Sequence, residues 1–212
     1  MLRLDHITLI APSLAEGAAH VEAALGIAVP FGTRHLYMGS HNHRLQLGRG
    51  TYLEIVALDP EGASPGRARW FGLDDRAQVR ADWDAGRRLR GWVAATEDMA
   101  ATIAAHPGVF GREIGLPFDA PEFGFSIPDD GSLPLGGAAP SLIDHRGDPT
   151  SMADIPDLGA RLTSLTVETP DPASLAALYA DLDVDRPIGV VEGSRLRYVA
   201  EIEVAGEVRT LT

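Results

Sequence analysis

The chain repeats itself, and the repeat constrains its fold more than any other feature. Leu4-Asp5-His6-Ile7-Thr8-Leu9-Ile10-Ala11-Pro12-Ser13-Leu14 reads as a strand that runs into a helix. Alternation puts Leu4, His6, Thr8 and Ile10 on one face and Asp5, Ile7 and Leu9 on the other. Leu89-Arg90-Gly91-Trp92-Val93-Ala94-Ala95-Thr96-Glu97-Asp98-Met99 aligns on that stretch without a gap, and Leu162–Pro170 opens a third copy. A period of this length implies stacked supersecondary units, here strand–helix–three-strand units of roughly 50–70 residues.

In the first unit Ser13 and Glu16 form a capping-box pattern, and Leu14, Ala18, Val21 and Leu25 recur at helical spacing before Gly26. Strands are expected at Val29–Phe31, near His41–Leu47 and at Thr51–Leu58. Residues 59–86 read as an irregular crossing segment with a short helix around Asp75–Trp83. The second unit continues with a helix from Met99 to His106 and strands at Val109–Ile114, Phe123–Ile127 and Ser141–His145. In the third, Asp171 and Pro172 start a helix through Leu182, and Gly189–Val191, Ser194–Ala200 and Glu201–Leu211 supply strands. The domain reading is 1–147 for two units, about 1–60 and 87–147, and 160–212 for the third, with turn-rich Gly147–Gly159 between them.

Several functions are excluded or disfavoured at once. Cysteine and lysine are both absent, which removes disulfides, thiolate chemistry, Schiff-base lysines and the P-loop lysine. A net charge of −12 argues against nucleic acid or an anionic membrane as partner. No signal-peptide pattern and no spanning apolar run are present, so a cytoplasmic location is expected. No G-x-S-x-G motif accompanies Asp144-His145, and no dinucleotide fingerprint follows a strand.

The chemical hint lies on two strands. If Leu4–Ile10 and Thr51–Val56 share a sheet, Ile7, Leu9, Leu53 and Ile55 take a helix, and His6 and Glu54 share the opposite face. Tyr52 lies on the Glu54 face, as a proton donor or as packing. Leu45 and Leu47 want the helix side, which turns Asn42, Arg44 and Gln46 inward as a set for carboxylate, phosphate or enediolate oxygens. The same spacing is met by a solvated edge strand. His41 and His43 share the leucine face and, with His35, are set aside. Trp92 is expected in the core, and Trp70 and Phe71 as a lid or a loop anchor.

Repeats that open with Leu-Asp-His and close with Tyr52-Leu53-Glu54-Ile55, together with Gly39-Ser40-His41-Asn42-His43-Arg44 and Ser141-Leu142-Ile143-Asp144, resemble the vicinal oxygen chelate superfamily and its glyoxalase-like domain group. The resemblance implies an α+β fold, repeated βαβββ units forming a cupped mixed sheet with helices on its outer face. It also implies a divalent metal (Zn, Ni, Mn or Fe) in the cup, polarising two neighbouring substrate oxygens. The ligand pattern carries over onto His6 and Glu54, whereas Gly91, Ile143 and Ser164 stand at ligand positions of the later units. His145, two residues past Ile143, is the first choice for a third ligand; a surface histidine at a strand end fits equally.

The function expected is that of a glyoxalase-like protein acting on a small oxygenated metabolite. As a metal-dependent lyase, isomerase or dioxygenase it would use His6 and Glu54 in catalysis and Asn42, Arg44, Gln46 and Tyr52 around the substrate. The alternatives are a metal-free module that sequesters a small molecule and a structural dimer with no ligand. Homodimerisation is expected because an unpaired third unit leaves sheet edges exposed.

Overall fold

The structure is a computed structural model describing residues 1–148 and 152–212. The turn-rich boundary expected over 147–159 includes 149–151, which lie outside the described residues.

The first unit comprises β1 (Arg3–Ile10), α1 (Leu14–Leu25), β2 (Phe31–His35), β3 (Ser40–Gln46) and β4 (Tyr52–Leu58). A crossing segment with α2 (Arg76–Asp84) leads to the second unit: β5 (Leu89–Ala95), α3 (Met99–Ala105), β6 (Arg112–Leu116), β7 (Phe123–Ile127) and β8 (Ser141–Asp144). The two units make one curled eight-stranded sheet in the order β2-β3-β4-β1-β5-β8-β7-β6. Each first strand pairs in parallel with the last strand of its own unit, and β1 and β5 pair antiparallel at the centre. The α+β cupped sheet that the resemblance implies is what the chain forms.

The two central strands carry matching β-bulges. Leu4 and His6 face Ala94 and Val93, leaving Asp5 as the extra residue of β1. Thr8 and Leu9 face Gly91 and Leu89, leaving Arg90 as the extra residue of β5. Asp5 and Arg90 are the same position in the gapless repeat alignment. Past its bulge β1 keeps the expected phase: Ile7 and Leu9 join the outer core and Ile10 the inner one. Before the bulge Leu4 turns to the outer core instead.

The outer face is covered in two ways. Ser13 caps α1 through the Glu16 amide, and Gly26 ends the helix at φ 69°. Gly17 lets this helix approach β4, since a Cβ there would lie 2.5 Å from Ile55 Cγ2. The third run of elements is β9 (Arg161–Thr169), α4 (Pro172–Leu182), β10 (Gly189–Glu192), β11 (Arg197–Val204) and β12 (Glu207–Leu211). It forms a separate four-stranded sheet, ordered β10-β9-β11-β12, so its first strand is interior rather than paired with its last. β11 and β12 hairpin through Ala205-Gly206, both at positive φ, not through a break at Ala200–Glu201 as the sequence suggested. The primed-type turn carries alanine at a position where asparagine or aspartate would have signalled it.

This small sheet packs on the outer core. Tyr179 and Tyr198 hydroxyls meet at 3.1 Å and donate to the carbonyls of Ala138 and Gly137, each at 2.7 Å. Trp92, 1% exposed, donates its indole N–H to Tyr179 at 3.3 Å. Tyr198→Phe leaves the Gly137 carbonyl buried with its donor removed, which costs about 1–3 kcal/mol. Urea unfolding of that variant measures the loss; an unchanged midpoint contradicts the seal.

Candidate functional site in the cup

The concave face holds a cavity of about 270 Å³. Its walls come from different parts of the chain and differ in chemistry. The first unit contributes His6, Thr33, His35, Tyr37, Asn42, Arg44, Tyr52 and Glu54. Phe123, Phe125 and Ile143 of the second unit, with Trp70 and Phe71 of the crossing segment, supply an apolar wall. Glu122, His145 and Asp148 complete it. Trp70 and Phe71 belong to the inner core with Val93 and Leu133, and Trp70 donates to Ser40 Oγ at 3.2 Å. They close part of the cup and are anchored as they do so.

A chain of polar contacts crosses the floor. His145 Nε2 lies 2.8 Å from Asp5 Oδ2, and Asp5 Oδ1 lies 2.7 Å from His6 Nδ1. His6 Nε2 is 3.5 Å from Glu54 Oε2, beyond a good hydrogen bond, and Glu54 Oε1 accepts from the Asn42 amide at 2.7 Å. Asn42 Oδ1 in turn accepts the Thr33 backbone N–H at 2.8 Å. The His6 ring stacks on Tyr52, centroids 4.4 Å apart.

Burial alone would lower the His6 pKa, but the Asp5 hydrogen bond and the nearby carboxylates of Glu54 and Asp5 outweigh it and raise it to about 9. Burial pushes the Asp5 carboxyl up, and its bonds to His145 and His6 hold it well below the usual carboxylate range. Glu54 is likewise raised by burial and lowered further by His6, ending below its ordinary value. His35 is driven by burial down to about 4 and is neutral. At neutral pH the floor therefore holds an imidazolium between two carboxylates.

Arg44 stands apart from this chain. Among the described residues it has no hydrogen-bond or ion-pair partner, and its Nε is buried. Its side chain lies over Gly32; a Cβ there would sit 2.8 Å from Arg44 Nε and closer still to Asn42 Oδ1. The missing side chain is what makes room for both.

His6, Glu54, Asn42, Arg44, Tyr52 and His145 are thus brought to one cavity. Gln46 is not: its amide donates to the Ile155 carbonyl at 2.7 Å, because the segment before β9 lies against the end of β3 and takes that side chain. Among the residues that escaped the sequence reading are His35 and Asp5. His35 reaches the cavity from β2, which starts at Phe31 and includes Gly32 rather than ending there. Asp5 was placed on the helix side by alternation, and the bulge brings it behind His6 and His145. The adjacent polar pair Asp5-His6 in an otherwise alternating strand was its signal.

A divalent metal fits this set poorly. His6 Nε2 and Glu54 offer two donors, and His145, whose Nε2 bonds Asp5, has only Nδ1 left to offer. Among the described residues no group of three or more His, Cys, Asp or Glu is arranged to hold an ion.

Fold and cavity define a tandem βαβββ cupped-sheet protein of the vicinal oxygen chelate type. The chain belongs to the glyoxalase-like domain family, whose model matches residues 4–182. It is similar in fold to a hypothetical protein from Staphylococcus aureus (TM-score 0.61, 10% identity), covering 99% of this chain and 98% of that one. A methylmalonyl-CoA epimerase in complex with methylmalonyl-CoA and NH4+ gives TM-score 0.39 at 17% identity over 69% of this chain and 96% of its own. A Streptomyces coelicolor methylmalonyl-CoA epimerase variant in complex with 2-nitronate-propionyl-CoA gives 0.38 at 17% over 68% and 95%. No curated protein sequence matches the chain. No helix among the described residues is long and apolar enough to cross a membrane.

The His6 shift fixes the sign of a pH effect. Its folded pKa lies above the unfolded 6.5, so its stabilisation is complete below pH 6.5 and is lost as pH rises through about 9. The amount is of order 3 kcal/mol. Urea unfolding between pH 6.5 and 9.5 is expected to show this decline in the wild type and a shallower one in Asp5→Asn. Equal slopes would contradict the assignment.

Proposed function

We propose that the cup binds a small oxygenated metabolite bearing an anionic group, and that it does so without a three-ligand metal centre. One observation carries this reading: His6 Nε2, 3.5 Å from Glu54, and Arg44 Nε are both buried without a hydrogen-bond partner, and both side chains line the same cavity. Buried N–H groups without a hydrogen-bond partner are costly, and a carboxylate or enolate oxygen that accepts from them lowers that cost. The imidazolium and the guanidinium supply charge to match, with Asn42 and Tyr52 shaping the floor beside them.

The reaction such a site supports is proton transfer next to the bound oxygen, as in a lyase or isomerase. Glu54 would take the proton while His6 and Arg44 hold negative charge developing on the oxygen. Glu54 is a weak base, however, because His6 and Asn42 stabilise its ionised form. Retention of the ligand, as in a sequestering protein, is therefore better supported than rapid turnover. The metal-dependent lyase, isomerase or dioxygenase reading needs a third donor, and no group of three is arranged for an ion among the described residues.

Thermal denaturation in the presence of EDTA tests the proposal. A panel of small carboxylates and 2-oxo acids is expected to contain ligands that raise Tm, a ligand at a hundred times its Kd adding about 2.7 kcal/mol. Arg44→Gln is expected to abolish the rise. Stabilisation by Zn, Ni, Mn or Fe with no response to any anion would overturn it.

A further inference from the structure

The two walls of the cavity differ enough to say what the ligand looks like at each end, and this step rests on the anion-binding reading above. We infer that the ligand is a monocarboxylate whose body is an aromatic ring or an apolar group of similar size.

The anionic end is set by Arg44. Its guanidinium lines the cavity with no carboxylate partner among the described residues, and Gly32 leaves the space its side chain crosses. A planar fork of N–H donors matches a carboxylate in two places at once.

Another part of the lining is apolar. Trp70, Phe71, Phe123, Phe125 and Ile143 supply it, with the rings of His35 and Tyr37 at its border against Trp70. Phe125 sits at the centre, 5.3 Å from the Trp70 ring at 64° and 5.6 Å from Phe71 at 80°. Rings held edge-to-face in this way present faces and edges that a further flat ring can continue. This wall comes from the crossing segment and the second repeat, where Gly91 and Ile143 stand in place of polar residues. A ligand without an apolar body would leave it wet.

Charge and size narrow the class. Glu54 and Glu122 line the same cavity, so a second negative charge on the ligand meets repulsion. A phosphate monoester is disfavoured against a carboxylate on that ground. The cavity, about 270 Å³, lies just under the range of roughly 300–1,000 Å³ that holds drug-sized ligands.

Calorimetry on the full chain in EDTA, with phenylacetate, acetate, phenylacetamide, phenethylamine and phenyl phosphate as probes, tests this. Phenylacetate is expected to bind at least tenfold more tightly than each of the others. Arg44→Gln is expected to weaken it about ten- to hundredfold, the loss of one charge-assisted contact. Phe123→Ala, at a half-buried position, is expected to weaken phenylacetate and leave acetate unchanged; both variants are checked for wild-type Tm. Acetate or phenyl phosphate binding as tightly as phenylacetate overturns the aromatic monocarboxylate and leaves the anion site standing. Tighter binding of phenethylamine, or no anion bound at all, overturns both.

Discussion

The Asp5 carboxylate holds two imidazoles at once, and the chemistry of the cup depends on that contact. One oxygen takes His6 Nδ1 and the other His145 Nε2, at 2.7 and 2.8 Å, from a side chain that is 1% exposed. A carboxylate that deep costs several kcal/mol unless its lone pairs are met. Here both oxygens are, and the cost is offset by fixing the His6 ring against Tyr52 with its free nitrogen toward the cavity. The same contact engages Nε2 of His145, which still lines the cavity. Asp5 thereby favours the charged form of His6.

The bulge that admits Asp5 has a twin at Arg90, and the two show how one duplicated framework becomes a one-sided site. Arg90 pairs with Asp82 at 2.9 Å under the crossing segment, whereas Asp5 organises the cup floor. Past these positions, His6 in one repeat corresponds to Gly91 in the other. The polar half of the cavity is thus concentrated on β1, β3 and β4, and the apolar half on β7, β8 and the crossing segment. The four-stranded sheet seals the outer face over Trp92, so the strand opposite β1 is held from behind by tyrosine hydrogen bonds rather than by a long helix.

Much of this was legible in the sequence. Alternation placed Ile7, Leu9, Leu53 and Ile55 against the outer layer and His6 and Glu54 together in the cup, because period-two patterning reports faces directly wherever a strand is regular. The leucine phase of β3 likewise turned Asn42 and Arg44 inward. What alternation cannot report is its own interruption: a bulge adds one residue and reverses phase, so Asp5 was assigned to the wrong side. Gln46 shared the inward phase but lies at a strand end, where the approach of residues 155–157 decides its partner. His35 was hidden by a glycine that reads as a turn and is in fact the gap that Arg44 crosses. The third unit kept the element order of the repeat and changed its pairing, which depends on contacts between strands that no local pattern encodes.

The protonation state of His6 tests the central claim most directly. Nitrogen NMR of the imidazole side chains at pH 7 separates imidazolium from the neutral tautomers. The His6 ring is predicted to carry protons on both nitrogens, to lose one only as the pH approaches 9, and to be unmoved by added Zn or Ni. A neutral His6 whose free nitrogen shifts on adding stoichiometric metal would contradict the account and restore the chelate mechanism.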